Sequence, residues 1–182
     1  VFKEMTADNS FELVAVDLET NTQHKLGETR SVDDQVEWLD NDTIFTSGFN
    51  KGAEREYGMW DVRNMTEPLS RAALGDGLGV GHLYFDMQHN LMHLAGRGEM
   101  NVSVFEIDKA GPAPCKFLYS WVGATPQKAF QLMDKDNLDV SKHEVNRAVR
   151  ISNNNLLEYF SFKLPNRTGQ FQPELYPAFP SG

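Results

Sequence analysis

Histidines, aspartates and closely spaced glycines are the residues of this chain that can hold metals or phosphates, and their spacing decides each case. Asp134, Asp136 and Asp139 are spaced like the start of a calcium loop. Leu138 and Asp139, however, occupy the fifth and sixth positions, where an oxygen ligand and a glycine are required, and Val145 stands where a glutamate should close the loop. His89 and His93 are four residues apart, as two zinc ligands on one helix face would be. They instead flank the turn residue Asn90 in a hairpin, and the glutamate of a zincin motif is missing. Gly75, Gly77, Gly79 and Gly81 suggest a phosphate loop, but counting from Gly77 the sixth position is His82 and no helix follows. Neither a nucleophile elbow nor a framed pair of carboxylates occurs. No catalytic residue, metal ligand or cofactor is assigned, and the chain is read as a non-enzyme.

Composition narrows the classes that remain. At 40% hydrophobic, 182 residues can bury one sizeable core, so one domain is expected. No apolar run reaches the length of about 18 residues that a spanning helix needs, and no signal peptide is read. Cys115 is the only cysteine, which excludes an internal disulfide and favours a reducing compartment. The net charge of −9 is uneven: residues 1–62 hold 14 Asp and Glu against 5 Lys and Arg, while the remainder holds 12 of each sign. Phosphate binding needs a basic stripe, so nucleic acid is a poor partner. Local basic clusters, Lys51 with Arg55 and Lys142 with Arg147 and Arg150, suit an acidic protein surface.

These clusters lie on repeated elements. VAVDLE places Asp17, GMWDVR places Asp61 and SVFEID places Glu106 at the same point of a pattern, 44 and 45 residues apart. A period of roughly 40–45 residues, with an acidic residue closing the third strand, marks WD-type β-propeller blades. Short β-branched and aromatic runs, bounded by Asn, Asp, Gly and Pro, supply the strands. They divide residues 1–164 into an incomplete blade over 1–26, blades over 35–74 and 80–122, and an incomplete closing blade over 129–164. Ala7 to Asn9 forms a turn inside the first of these. The expected fold is therefore all-β, with about three blades of a propeller in this chain. Such a ring escapes open edges only by closing, so the remaining blades are needed for closure.

Burial preferences assign Trp38, Trp60, Phe105, Trp121 and Phe160 to the core between blades. Asp17, Trp60, Asp61 and Glu106 are the structural motif, the acidic residue anchoring a strand end. One hairpin stands apart: Lys51-Gly52-Ala53-Glu54-Arg55-Glu56 joins the second and third strands of its blade, an end where binding loops gather. Composition alone favours a solvated turn.

At this hairpin GFNKGAEREYGMWDVRNMTEPL resembles a blade of the coronins. The segments GHLYFD, LAGRGEMNVSVFEI, LDVSKHEVNRAVRI and FQPELYPAF are similar to coronin segments in the same order, over nearly all of residues 30–179. The resemblance implies a seven-bladed ring closed by a strand from outside this chain, with residues 165–182 beginning a C-terminal extension that packs on the propeller. It implies a cytoplasmic protein of the cell cortex that binds filamentous actin and contacts phosphoinositide membrane surfaces. Oligomerisation would come from a coiled coil outside this sequence. The family's hairpin arginine and glutamate–arginine pair fall on Lys51, Glu54 and Arg55, so a bidentate contact becomes a point charge at Lys51.

The mechanism that follows is non-catalytic. Basic hairpins on one propeller face, carrying Lys51, Glu54 and Arg55, meet acidic actin along the filament, with Lys142, Arg147 and Arg150 as further contacts. Each exposed pair contributes only about 0–1 kcal/mol, so repetition along the polymer supplies avidity. The alternative is a general WD-repeat scaffold that assembles protein complexes without touching actin.

Overall fold

Turn-forming residues cut the chain into fourteen short strands and one 3-10 helix, Val140–Lys142, with no α-helix among the described residues. The computed structural model describes residues 2–5, 11–29, 35–50, 52–75, 77, 79, 81–136, 138–163, 173 and 176. The turn over Ala7 to Asn9, the Lys51 side of the hairpin and nearly all of 165–182 lie outside them.

Strands β1 (Phe2–Met5), β2 (Phe11–Asp17) and β3 (Thr22–Thr29) form an antiparallel sheet in that order. Strands β4 (Gln35–Trp38), β5 (Thr43–Phe49), β6 (Arg55–Asp61) and β7 (Ser70–Gly75) form a four-stranded meander. Strands β8 (Gly81–Asp86), β9 (Leu91–Gly96), β10 (Asn101–Ile107) and β11 (Cys115–Val122) form another. The last sheet has three strands, β12 (Gln127–Leu132), β13 (Glu144–Ser152) and β14 (Leu157–Lys163). Among the described residues, the chain thus runs through a three-stranded sheet, two four-stranded meanders and a second three-stranded sheet, the pattern of a WD-repeat propeller segment. The chain divides into two compact units, Val1–Phe85 and Asp86–Gly182.

Local chemistry explains the cuts. Asp17 ends β2 and its Oδ1 accepts from the Glu19 amide at 2.9 Å. Asp61 ends β6 and accepts from the Arg63 amide at 2.9 Å. These are turns in which the carboxylate replaces a backbone acceptor. Asn21, Asn90 and Asn155 sit in the left-handed region at φ values of 53°, 52° and 61°, where asparagine is tolerated. The third repeat differs. Glu106 shares the register of Asp61, each facing the first residue of the neighbouring strand. Yet β10 runs on through Ile107, which pairs with Cys115 of β11, and Asp108 caps the turn through the Ala110 amide at 3.2 Å. Glu106 is left exposed, 4.0 Å from Lys116.

Middle strands carry the core. All six residues of β9 and the first five of β5 are buried, because each is covered on both edges and both faces. In the first unit Trp60 packs with Ala15, Ile44 and Met65. Its Nε1 donates to Thr46 Oγ1 at 3.1 Å, and a Cβ on Gly58 would lie 2.6 Å from that nitrogen, so only glycine leaves room for the indole. In the second unit Trp121 stacks on Phe160 at 4.2 Å, and Phe105 is buried. Trp38 departs from the expectation: it closes β4 with its side chain outward, 56% exposed.

Candidate protein-interaction site

The hairpin between β5 and β6 is built from one asparagine. Asn50 Oδ1 accepts from the amides of Gly52 at 2.9 Å and Glu54 at 3.1 Å, while its carbonyl accepts from the Ala53 amide at 2.9 Å. Its Nδ2 donates to Glu54 Oε2 at 3.3 Å. Gly52, Ala53 and Glu54 are exposed at the tip, with Ala53 held at φ 63°. Glu54 therefore braces the turn as well as facing solvent.

Arg55 does not join this tip. It is 3% exposed, its guanidinium lies 5.5 Å above the Phe49 ring, and Nη2 donates to the Gly79 carbonyl. A Cβ on Gly77 would sit 2.1 Å from its Cζ. The guanidinium is thus clamped between an aromatic ring and the glycine-bearing link that leaves β7. It supports the hairpin from below and has no face to offer a partner. The physical reason is that both faces of β6 are covered: Arg55 shares one face with the buried Tyr57 and Met59, and Gly58 and Trp60 are buried on the other.

Arg150 behaves likewise. It is 1% exposed, lies 4.7 Å above the Trp121 ring, donates to the Thr125 carbonyl at 2.9 Å and pairs with Glu158 at 2.8 Å. A Cβ on Gly123 would meet it at 2.4 Å. The second basic cluster is therefore reduced to Lys142 and Arg147. Arg147 grips the buried Glu144 through Nε and Nη2, at 3.1 and 2.6 Å. Burial works to raise the Glu144 pKa, but Arg147 and the Asp139 amide outweigh it and hold the carboxyl low. Lys142 is largely exposed and pairs with Asp139 at 2.7 Å; with Ser141 it holds that carboxyl down at about 2. Lys142, Arg147 and Lys163 line a cleft of about 320 Å³.

Glu54 belongs to a turn joining second and third strands of its sheet, whereas Lys142 and Arg147 flank a turn joining first and second strands of theirs. Within a sheet, antiparallel strands put turns of these two kinds at opposite ends. Lys51 lies outside the described residues.

A polar cluster that spacing alone did not single out lies in the second unit. Asp86 accepts from His89 Nδ1 at 2.7 Å, Asn146 Nδ2 at 2.8 Å, the Gln88 amide at 3.1 Å and Lys135 Nζ. Burial alone would raise the Asp86 pKa, but the bonds from His89 and Lys135 prevail and hold it at about 2. Lys135 moves the other way for its class, lowered by burial despite Asp86. His93 stacks edge-on against Phe162 at 4.8 Å, and its Nε2 lies 3.5 Å from the Asn146 Nδ2 that donates to Asp86. Nearby, the Tyr176 hydroxyl donates to the Glu144 carbonyl at 2.9 Å, and its ring lies 6.4 Å from that of His89. The only signal in the sequence was Asp86 three residues before a histidine, across a turn. Among the described residues, no group of three His, Cys, Asp or Glu is placed to hold a metal ion.

A coronin-like protein of Schizosaccharomyces pombe is 31% identical over 150 residues, which is 81% of this chain and 24% of that protein. Coronin-A of Dictyostelium discoideum is 31% identical over 136 residues, 75% of this chain and 30% of that protein. The chain thus spans less than a third of either relative. Among solved structures, the WD40 domain of a Toxoplasma gondii coronin superposes with a TM-score of 0.75 at 24% identity, covering 96% of this chain and 46% of that one. No protein-family model matches the chain.

Proposed function

Because the chain is a WD-repeat propeller segment of the coronin family, we propose that it forms part of the actin-filament-binding surface of a coronin-like regulator of the actin cytoskeleton. The role is non-catalytic, in the cytoplasm at the cell cortex, and phosphoinositide contact belongs to the same reading. The observation that supports it best is the hairpin from Asn50 to Glu54. It lies in the coronin-like segment, carries Lys51 in sequence, exposes its tip and stands on a buried Arg55. A braced turn loses little freedom on binding, so a weak charge contact repeated along a polymer is not spent on ordering the loop. Lys142, in the turn at Val140–Lys142, is a separate candidate contact.

Co-sedimentation with filamentous actin tests this, using the complete protein over a salt series beside Lys51→Glu and Lys142→Glu variants. Salt-sensitive pelleting weakened severalfold by Lys51→Glu is the expected result. Weakening by Lys142→Glu alone moves the contact to the turn at Val140–Lys142. Failure of the folded protein to pellet at low salt overturns the actin reading and leaves a general WD-repeat scaffold for protein complexes.

A further inference from the structure

A groove of about 670 Å³ opens in the first unit, among the turns that end β2, β4 and β6. Its floor is apolar: Ala15, Ile44 and Met65 belong to the buried cluster under Trp60, and Val36 and Val62 pack against it. At its edge stands the outward Trp38 indole, 56% exposed. The rim is acidic. Asp17 is exposed, and no lysine or arginine among the described residues pairs with it, while His24 lines the groove beside it. Arg63 is already held by two carboxylates, Asp61 at 2.7 Å and Asp42 at 3.3 Å, so it leaves that side of the rim net negative. The excess of 14 acidic over 5 basic residues in positions 1–62 has the same sign.

We propose that this groove docks an extended segment of a partner protein in which an aliphatic or aromatic side chain is followed within two positions by Lys or Arg. The apolar side chain rests against Val36, Val62 and the Trp38 indole, the groove residues that still expose apolar surface, and removes it from water. The cation is held at the rim by the Asp17 carboxylate and by the Trp38 indole, whose face attracts cations. Charge decides against other occupants. A second copy meeting the groove through a two-fold interface would set this acidic rim against itself, and an anionic lipid surface would be repelled by it. Filament binding is a separate property, so Lys51→Glu leaves peptide capture unchanged.

The test is capture of an arrayed nonapeptide library, varied at each position, by the complete protein. The expected preference is an apolar residue followed closely by Lys or Arg. Capture of the best lysine peptide should fall at least fivefold on Asp17→Asn, which keeps the hydrogen-bonded turn, and at least tenfold on Trp38→Ala. Both positions are exposed, and unchanged melting temperatures confirm folding. Preference for acidic peptides, no positional preference, or capture indifferent to both variants overturns the assignment. Sedimentation showing that Trp38→Ala dissolves a dimer would overturn it too, by placing a second copy in the groove.

Discussion

Replacing Asp86 by asparagine keeps the volume of the side chain and removes its charge. Four donors converge on that carboxylate, and one of them, Lys135 Nζ, is a cation with only 16% of its side chain exposed. The substitution leaves this ammonium in a site of low dielectric without its counter-ion and turns an amide NH₂ toward groups that also donate. Breaking a buried pair from one side costs about 3–5 kcal/mol. Lys135 retains a path to solvent, which puts the expectation near the low end, about 3 kcal/mol. The pair itself contributes less than that figure, since burial lowers Lys135 while Asp86 is held at about 2.

Amide hydrogen exchange in the complete protein reads this locally. Strands β9 and β13, which carry His93 and Asn146, should lose protection by roughly a hundredfold, because about 1.4 kcal/mol is a factor of ten. The double variant Asp86→Asn, Lys135→Met should recover most of it, since an uncharged pair leaves no stranded ion. The pH dependence has a fixed sign. Asp86 is held at about 2, below its ordinary 3.8, so its contribution is complete above pH 4 and is lost as the pH falls from there toward 2. The Asp86→Asn variant should lack that acid loss. A change in protection below threefold, or a double variant as weak as the single, refutes the reasoning.

Two further outcomes follow from packing and burial. Gly77→Ala and Gly123→Ala each drive a methyl group into a clamped guanidinium, that of Arg55 or Arg150. Each should cost about 1–3 kcal/mol as overpacking and lower the melting temperature; unchanged melting would mean the arginines are not held as described. Burial pushes the Cys115 thiol up to about 12, so alkylation at pH 8 should be far slower than that of a free thiol. Rapid labelling would contradict this.

The blades were legible because local chemistry repeats: an Asp or Asn at each reversal, short aromatic or β-branched runs between them, and the same order of segments that coronins have. Such signals act over two to five residues, the range within which a carboxylate finds an amide. What was not legible depends on partners far along the chain. Arg55 sits between two glutamates and reads as surface charge, yet Phe49 and the link at Gly77 and Gly79 enclose it. Trp38 errs in the opposite sense, an aromatic whose strand ends before anything covers it. Glu106 matched the repeat by count, but β10 extends one residue beyond the matching point and Asp108 takes the turn. Asp86 and Lys135 lie 49 residues apart, so neither announces the other. In each case the hydrophobic pattern correctly placed the strand, while the fate of the charge on it was set by what a second strand or link brought opposite. A buried charge is tolerated only with a partner, and in a meander of short strands that partner comes from another turn or another sheet. Charge clusters read along such a chain therefore over-count its binding surface. Among the described residues, Glu54, Lys142, Asp17 and Trp38 remain outward at turns and strand ends, where no second element encloses the side chain.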